Sequence, residues 1–207
     1  MRRNRAEQRE FNRRALLASA RHLIATQGTN VSVDAIAEAA GLTTGAVYSI
    51  FGSKRDLILA VIEEGVHEYL EDIERLRESE EALPGLLDLY ARRVAAGLDG
   101  DFREEARFEV LLVLLCLDDE FFREQSLRLQ HRQRDALAGL FTGRAVSDGP
   151  SPRRVSSSEA ALIASSLLAL TSGFLLRGVL DDQVRRDTMA RACAALAHLV
   201  DDGTAAH

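Results

Sequence analysis

The sequence predicts an all-α protein of about nine helices, and three observations support this fold class. Only 3 prolines and 14 glycines interrupt 207 residues, so few positions break helices. Apolar residues make up 46% of the chain and charged residues 28%, a balance typical of globular proteins and not of disordered or collagen-like ones. Apolar side chains also recur at helical spacing, behind recognisable capping sequences.

The first quarter of the chain is predicted to form three helices behind a basic arm. Residues 1–9 are polar and basic without apolar periodicity, so we expect them to be mobile. A first helix is expected to end at Gly28, which can adopt a positive φ. Ser32 is the expected N-cap of a second helix that ends at Gly41. A third, short helix is expected at about residues 44–50.

Longer helices are predicted over the rest of the chain. Ser53 and Asp56 form a capping box for a fourth helix that ends near residue 78, and Pro84 suits the first turn of a fifth. The further predicted elements are a sixth helix capped by Asp101, a seventh over about 119–141, a loop at 142–157, an eighth helix capped by Ser156 and a ninth over about 183–200.

Two segments are unusually apolar. Nine of the ten residues in 108–117 are apolar, so the sixth helix is expected to be buried on every side. The eighth helix has no charge over the 17 residues from Ala160 to Leu176, fewer than the ~20 that a membrane span needs. We therefore expect it to pack between helices and not to enter a membrane.

Charge is divided unevenly along the chain. Residues 1–60 contain nine basic and five acidic side chains, whereas residues 61–207 have a net charge of −10. A basic first quarter suggests contact with a polyanion, although a solvated arginine-rich helix explains it equally well. Cys116 and Cys193 lack metal-ligand spacing, and no secretory leader is evident. These features favour the reducing cytoplasm.

The second and third helices form a helix-turn-helix pattern, in which the second helix of the pair can enter the major groove of DNA. Ile36, Val47 and Phe51 are expected to face inward, with Gly41 in the turn. The outward face is small or hydroxylic and uncharged, so it can approach base edges closely. An ordinary helical corner is the alternative. The outward residues are Thr43, Thr44, Gly45, Ala46, Tyr48 and Ser49.

The run from Leu23 to Glu63 resembles the N-terminal domain of the TetR (tetracycline repressor) family of transcriptional regulators. The helix end at Gly28, the sequence AAGLTTGAVY at 39–48, and Phe51, Lys54, Leu57 and Ala60 carry the resemblance. The remaining chain is similar to the family only in its helical layout. The resemblance implies a DNA-binding domain over residues 1–60 and an effector-binding and dimerisation domain over residues 61–207.

The resemblance also implies a homodimer that binds a near-palindromic double-stranded DNA operator, as a repressor, and leaves it when a small effector binds. Tyr48 and Lys54 match positions that contact phosphate, while Ile50 stands where many members have histidine and cannot bind phosphate. The DNA-binding residues predicted in this way are Ser32, Thr43, Thr44, Gly45, Ala46, Tyr48, Ser49 and Lys54.

Large apolar side chains of helices five to eight are expected to line the effector cavity, although core packing explains any single one. They favour a lipophilic or aromatic effector. The candidates are Leu86, Leu89, Tyr90, Phe108, Leu111, Leu112, Leu115, Phe121, Phe122, Leu170 and Phe174. Helices eight and nine are expected to form the dimer interface through Ala169, Gly173, Met189, Cys193, Leu196 and Val200.

Enzymatic functions have little support in the sequence. It contains no G-x-S-x-G, G-x-G-x-x-G, Walker or H-E-x-x-H pattern. Glu64 and His67 form a single E-x-x-H, whereas a di-iron bundle needs two such motifs. No catalytic residue, cofactor or metal site is therefore expected. A helical carrier or sensor that does not bind DNA is the alternative function, because Ile50 and the uncharged third helix leave it open.

Overall fold

A computed structural model describes residues 4–97, 102–147, 151–179 and 186–201. All regular elements within these ranges are helices, which confirms the all-α fold class. They are α1 (Arg5–Gln27), α2 (Val33–Ala39), α3 (Thr44–Phe51), α4 (Lys54–Arg77), α5 (Leu83–Gly97), α6 (Phe102–Asp118), α7 (Glu120–Phe141), α8 (Ser157–Gly178), α9 (Arg186–Ala195) and α10 (His198–Asp201). Asp101, the expected cap of the sixth helix, lies outside the described residues.

The helices are distributed over two compact units. Unit 1 comprises Met1–Val66 and Arg107–Ser126, and unit 2 comprises His67–Ala106 and Leu127–His207. Helices α4, α6 and α7 therefore contribute residues to both units. The functional division of the chain near residue 60 stays a prediction.

Unit 1 is built around α1, which begins earlier than the sequence indicated. Asn4 caps this helix: the Glu7 backbone N–H donates to Asn4 Oδ1 (2.8 Å), and the Asn4 N–H donates to the Glu7 carboxylate (2.9 Å). This reciprocal capping box makes residues 5–9 helical, so the expectation of a mobile arm is wrong for them. Residues 1–3 lie outside the described part of the chain.

Three residues between the helices of unit 1, namely Ser32, Gly41 and Ser53, have the capping and turn roles that the sequence predicted. Ser32 Oγ accepts from the Ala35 N–H at 3.1 Å and so caps α2. Gly41 ends this helix with φ +66°, a conformation that strains any residue with a side chain. The Asp56 N–H donates to Ser53 Oγ (3.1 Å) at the start of α4. Helix α3 packs against both α1 and α2.

Unit 2 is a helical core in which α5 packs against α9, and α8 packs against both α9 and α10. The segment after α7 is more ordered than the predicted loop, because Ala145 and Arg154 form an isolated antiparallel bridge. This bridge places the side chains of Val146 and Val155 in the core. The single helix expected near the end of the chain is divided into α9 and α10.

The two apolar helices differ from each other. Helix α6 is not buried on every side, because four of its apolar side chains are exposed, up to 76% for Leu117. These side chains are Val110, Val113, Leu114 and Leu117. Helix α8 is long and apolar enough to cross a membrane by length and composition alone. One side of α8, which includes Ile163, Ala164 and Leu167, is buried in the core of unit 2.

Candidate nucleic-acid interface

Helix α3, the second helix of the helix-turn-helix, is buried on one side and exposed on the other. Val47 is fully buried, and Thr43 caps the helix by accepting from the Ala46 N–H at 3.3 Å. In this cap the Thr43 hydroxyl accepts a hydrogen bond, so its own hydrogen remains available for donation to a ligand. The residues that remain exposed are Thr43, Gly45, Tyr48 and Ser49, while Thr44 and Ala46 are half-buried.

A hydrogen bond across the helix-turn-helix joins its two helices. The Thr44 hydroxyl, at the start of α3, donates to Asp34 Oδ1 on α2. This bond uses the only hydrogen of the Thr44 hydroxyl, so Thr44 can offer DNA its methyl group and a lone pair. It also gives the Asp34 carboxylate a partner within the motif. The sequence pattern did not predict this bond, since the two residues meet only after the turn has folded.

Tyr48 and Lys54 lie on either side of the turn between α3 and α4. The Tyr48 side chain is 50% exposed, and Lys54 is half-buried as the first residue of α4. Gly52 between them has φ +85°. A lysine at a helix N-terminus adds a full positive charge to the partial charge of the helix end, a combination suited to phosphate. Ile50 is half-buried.

Ser32, the remaining predicted contact, is exposed at the start of α2 and serves there as the N-cap. Its capping role uses a lone pair and leaves the O–H able to donate. The structure therefore shows every predicted DNA-binding side chain as exposed or half-buried in unit 1. Their contact with DNA stays a prediction.

Two arginines of α1 connect this helix to α3 and α4. Arg9 donates to the backbone carbonyl of Ser49 at 3.4 Å, which ties the start of α1 to the end of α3. Arg13 forms an ion pair with Glu64 on α4 at 3.4 Å. The sequence singled out Arg9 only as a member of a mobile arm. Its helical setting was missed because the Asn4 cap was not recognised.

Arg55, the residue after Lys54, contacts residues at the junction of α6 and α7. Arg55 pairs with the Asp119 carboxylate, and its guanidinium lies over the Phe121 ring at 4.4 Å and the Phe122 ring at 5.6 Å. Asp119 also accepts from the Phe121 N–H at 2.9 Å. Hydrogen bonding from Arg55 lowers the pKa of Asp119. We call this set of four residues the Arg55 clamp.

The predicted effector-lining residues do not form one group. In unit 2, Leu86 and Tyr90 belong to the core, and Phe174 packs against it. The unit 2 candidates are Leu86, Leu89, Tyr90, Leu170 and Phe174. The unit 1 candidates are Phe108, Leu111, Leu112, Leu115, Phe121 and Phe122. In unit 1, the guanidinium of Arg21 lies over the Phe108 ring at 4.7 Å, so at least this candidate has a partner within the unit.

The predicted dimer-interface residues divide into two sets. Met189, Cys193 and Val200 are buried in the core of unit 2, so the stripe on the last helices packs inside its own chain and their place in a subunit interface is corrected. Ala169 is exposed, and Leu196 and Gly173 are half-buried. A Cβ at Gly173 would meet no atom within 4 Å. For these three residues the interface stays a prediction.

Metal binding finds no support in the part of the chain that the structure describes. No group of three or more His, Cys, Asp or Glu side chains there is placed to hold a metal ion. His67 of the E-x-x-H motif forms its contact with Glu71 on the same helix, at 3.3 Å.

Comparison with known proteins gives one family match. Residues 16–61 match the family described as bacterial regulatory proteins, tetR family. This range contains α2, α3 and the start of α4. No curated protein sequence matches the chain.

Many solved structures share the fold over nearly the whole chain. A TetR transcription regulator from Haloarcula marismortui is 16% identical, with a TM-score of 0.68, and the match covers 91% of this chain and 97% of the other. A putative TetR-family regulator from Mesorhizobium loti is 17% identical with a TM-score of 0.69, covering 95% and 96%. A putative transcriptional regulator from Saccharomonospora viridis, solved in complex with choline, is 20% identical with a TM-score of 0.65, covering 90% and 95%.

Proposed function

Because this chain belongs to the TetR family of transcriptional regulators, we propose that it acts as a homodimer that binds a near-palindromic operator and leaves it when a small molecule binds. The observation that carries the proposal is the exposed, uncharged face of α3 on an anchored helix-turn-helix, beside Tyr48 and Lys54. Since the matching family consists of bacterial regulatory proteins, the proposed site of action is the cytoplasm, where bacterial DNA lies.

The α3 face suits close approach to base edges. Gly45 and Ala46 add almost no bulk, and the Thr43 and Ser49 hydroxyls can donate to or accept from bases in the major groove. Tyr48 and Lys54 then supply phosphate contacts, which fix the position of the helix without reading sequence. Because this face has no charge of its own, most of the electrostatic attraction must come from Lys54 and the arginines of α1.

A dimer is favoured by the outward side of α8. Small residues at helical spacing, Ser165, Ala169 and Gly173, lie between Leu162 and Leu176, which are exposed by 53% and 37%. An apolar helix face of this kind is normally covered, and small side chains allow a second helix to approach closely. Two copies related by a two-fold axis would present two α3 helices to half-sites about 34–36 Å apart.

Release by a small molecule is favoured by the aromatic and apolar interior of unit 2, which contains several of the predicted lining residues. The fold can hold a small molecule, since the Saccharomonospora viridis regulator was solved with choline. An effector causes release only if it binds the DNA-free conformation more tightly than the DNA-bound one.

Ile50 favours a second candidate function, a small-molecule carrier or sensor that does not bind DNA. It is half-buried at a position where an isoleucine can offer phosphate no hydrogen bond. Titration of fluorescent double-stranded DNA with the full-length protein at several salt concentrations distinguishes the two functions. The regulator gives sequence-dependent affinity that falls steeply with salt, and the carrier gives no binding.

A further inference from the structure

Helix α6 carries a row of exposed apolar side chains along one side. They recur at i, i+3, i+4 and i+7, the spacing that aligns residues on one face of an α-helix. Phe108, on the opposite side of the helix, is buried, with the guanidinium of Arg21 over its ring. A contiguous exposed apolar surface of this kind indicates a covering partner. Its members are Val110, Val113, Leu114 and Leu117, and we call them the α6 stripe.

Exposed charges of opposite sign lie at the two ends of the α6 stripe. Arg107 precedes it and Asp118 follows it. The two residues are eleven positions apart, about three turns of an α-helix, so they lie on the same side of α6. Neither forms an ion pair or a hydrogen bond within the part of the chain that the structure describes. Asp118 is also the last residue of the helix, where the helix dipole disfavours a negative charge and favours a cation beside it.

This pattern is complementary to a reversed copy of itself. Two antiparallel α6 helices can be related by a two-fold axis at the middle of the stripe, between Val113 and Leu114, so that their apolar side chains face each other. Along the helix, Arg107 of one copy then lies about 10 Å from this axis and Asp118 of the second copy about 7 Å from it in the same direction, an offset of only about 3 Å. The symmetry forms this pair of opposite charges twice.

Other ways of covering the stripe leave a charge opposed. A parallel pair of α6 helices would place Arg107 against Arg107 and Asp118 against Asp118, and like charges facing each other across an interface repel. An anionic membrane surface would attract Arg107 but repel Asp118 and the exposed Glu120. A second copy in antiparallel orientation satisfies both charges and covers the apolar side chains between them.

We propose that the α6 stripe is a self-association surface, on which the same surface of a second copy of this chain docks in antiparallel orientation, with Arg107 of each copy paired to Asp118 of the other. The proposal goes beyond the proposed function, which assigns the contact between copies to α8. It adds a second contact between copies in unit 1, and it requires neither DNA binding nor pairing of α8.

Disulfide cross-linking of the full-length protein tests the orientation. In the antiparallel pair, Leu114→Cys brings the thiols of two copies to within about 1.5 Å of each other along the helix, whereas Leu117→Cys separates them by about 10 Å. A disulfide needs Cβ atoms within about 4.5 Å. Oxidation by copper–phenanthroline in air should therefore link Leu114→Cys at least about tenfold faster than Leu117→Cys. Leu117 is a strict control, because it is 76% exposed against 49% for Leu114 and random collisions would favour it.

Charge reversal in the Leu114→Cys protein tests the pairing of Arg107 with Asp118. Arg107→Glu or Asp118→Arg places like charges together at two points, so each should slow cross-linking about fivefold, as the loss of two exposed ion pairs provides. The double variant Arg107→Glu/Asp118→Arg restores opposite charges and should restore the rate. Arg92→Glu, the same charge change at an exposed arginine of α5, is the matched control and should leave the rate unchanged.

The native thiols are controlled in the same experiment. Every protein carries Cys116→Ser, and Cys116→Ser alone is the blank, while Cys193 is fully buried. Cross-linking is the chosen measurement because it captures weak association, and two short helix faces bury less than the ~1,200 Å² of a standard interface. The substituted side chains of the stripe and its two charged ends are all exposed, so each variant should keep the helical circular dichroism of the parent.

Four results would each overturn the proposal: no covalent dimer of Leu114→Cys above the blank, equal or faster linking of Leu117→Cys, charge variants that leave the rate unchanged, or a double variant no faster than the single ones. DNA affinity of the wild-type protein is measured separately. Absent DNA binding defeats the proposed function, whereas DNA binding without the Leu114→Cys cross-link defeats only the present inference.

Discussion

The α3 face and the interior of unit 2 both contain hydroxyl groups, but in opposite settings. Ser49 and Tyr48 on α3 are exposed, whereas Tyr90 in unit 2 is buried and its hydroxyl is hydrogen-bonded to the Tyr69 hydroxyl. An exposed hydroxyl costs little to keep or remove, so its effect is expected on binding to another molecule. A buried hydroxyl must be satisfied within the chain or by a ligand. The two regions should therefore respond differently to substitution.

The largest expected effect is on the dimer that would link two copies of the α3 face. Ala169→Arg puts a charge into the α8 face and, because an unpaired buried charge is costly, should weaken the dimer by about 100-fold or more. Operator affinity should fall as well, since a monomer has only one α3 helix and can contact only one of the two half-sites. Sedimentation equilibrium measures the first effect and fluorescence anisotropy the second.

Ala96→Arg is the matched control, because Ala96 is also exposed and helical but lies on α5. It should leave both the dimer and the operator affinity unchanged. A wild-type protein that is monomeric at micromolar concentration, or a stable Ala169→Arg dimer, would place the interface elsewhere.

A smaller effect is expected from the single lysine of the chain. Lys54→Ala should weaken DNA binding about equally on all sequences, and it should reduce the salt dependence of log K by about 0.9 because one phosphate contact is lost. The salt dependence is measured by anisotropy between about 50 and 200 mM salt. Arg92→Ala, an exposed cation of α5 paired with Asp88, is the control and should leave the slope unchanged. An unchanged slope in Lys54→Ala would remove this residue from the phosphate contacts.

Substitutions at two glycines of the helix-turn-helix should affect different properties, the stability of the fold at Gly41 and the affinity for DNA at Gly45. Gly41→Ala should lower the free energy of unfolding by about 1–2 kcal/mol, since φ at this position is +66°. Gly45→Ala has room for its methyl group, whose nearest neighbour is Thr43 Oγ1 at 3.8 Å, so it should stabilise α3 by up to about 1 kcal/mol. The same methyl group should weaken operator binding. Thermal unfolding and anisotropy measure both quantities, and Gly45→Ala with full operator affinity would show that α3 does not approach DNA closely.

The smallest effect concerns the Arg55 clamp. The pKa of Asp119 is lowered, so the clamp should stabilise the protein above the ordinary aspartate pKa and lose this contribution as the pH falls through the lowered value. Arg55→Ala should therefore destabilise the protein more at pH 7 than at pH 2, because protonation of Asp119 weakens its pairing with Arg55 whereas the ring contacts remain at both pH values. Urea unfolding at both pH values tests this. Arg123→Ala, which removes an exposed pair with Glu120, should have a smaller effect at pH 7 because it breaks no ring contact.

The sequence predicted the helix-turn-helix well because its determinants are local. Ser32 and Ser53 cap helices within three residues of themselves, and Gly41 takes the conformation that its turn needs. These contacts form between neighbours along the chain, so their spacing alone reveals them. The beginning of α1 was missed only because Asn4 was not recognised as a cap.

Contacts between distant segments could not be predicted in this way. Arg55 and Asp119 are 64 positions apart, and the Tyr69–Tyr90 pair joins two helices. Apolar periodicity also did not reveal which apolar side chains are buried within the same chain and which remain exposed. Met189 and Cys193 proved to face the core, while Leu117 is exposed. Burial of this kind depends on the packing of several helices at once.

Selection of bound fragments from a random double-stranded DNA pool tests the central claim most directly, namely that the α3 face reads DNA as part of a dimer. If α3 reads DNA in this way, the selection enriches an inverted repeat whose half-sites lie about one helical turn apart, and Gly45→Ala reduces the enrichment. A pool that stays unenriched, or binding that ignores sequence, would contradict it.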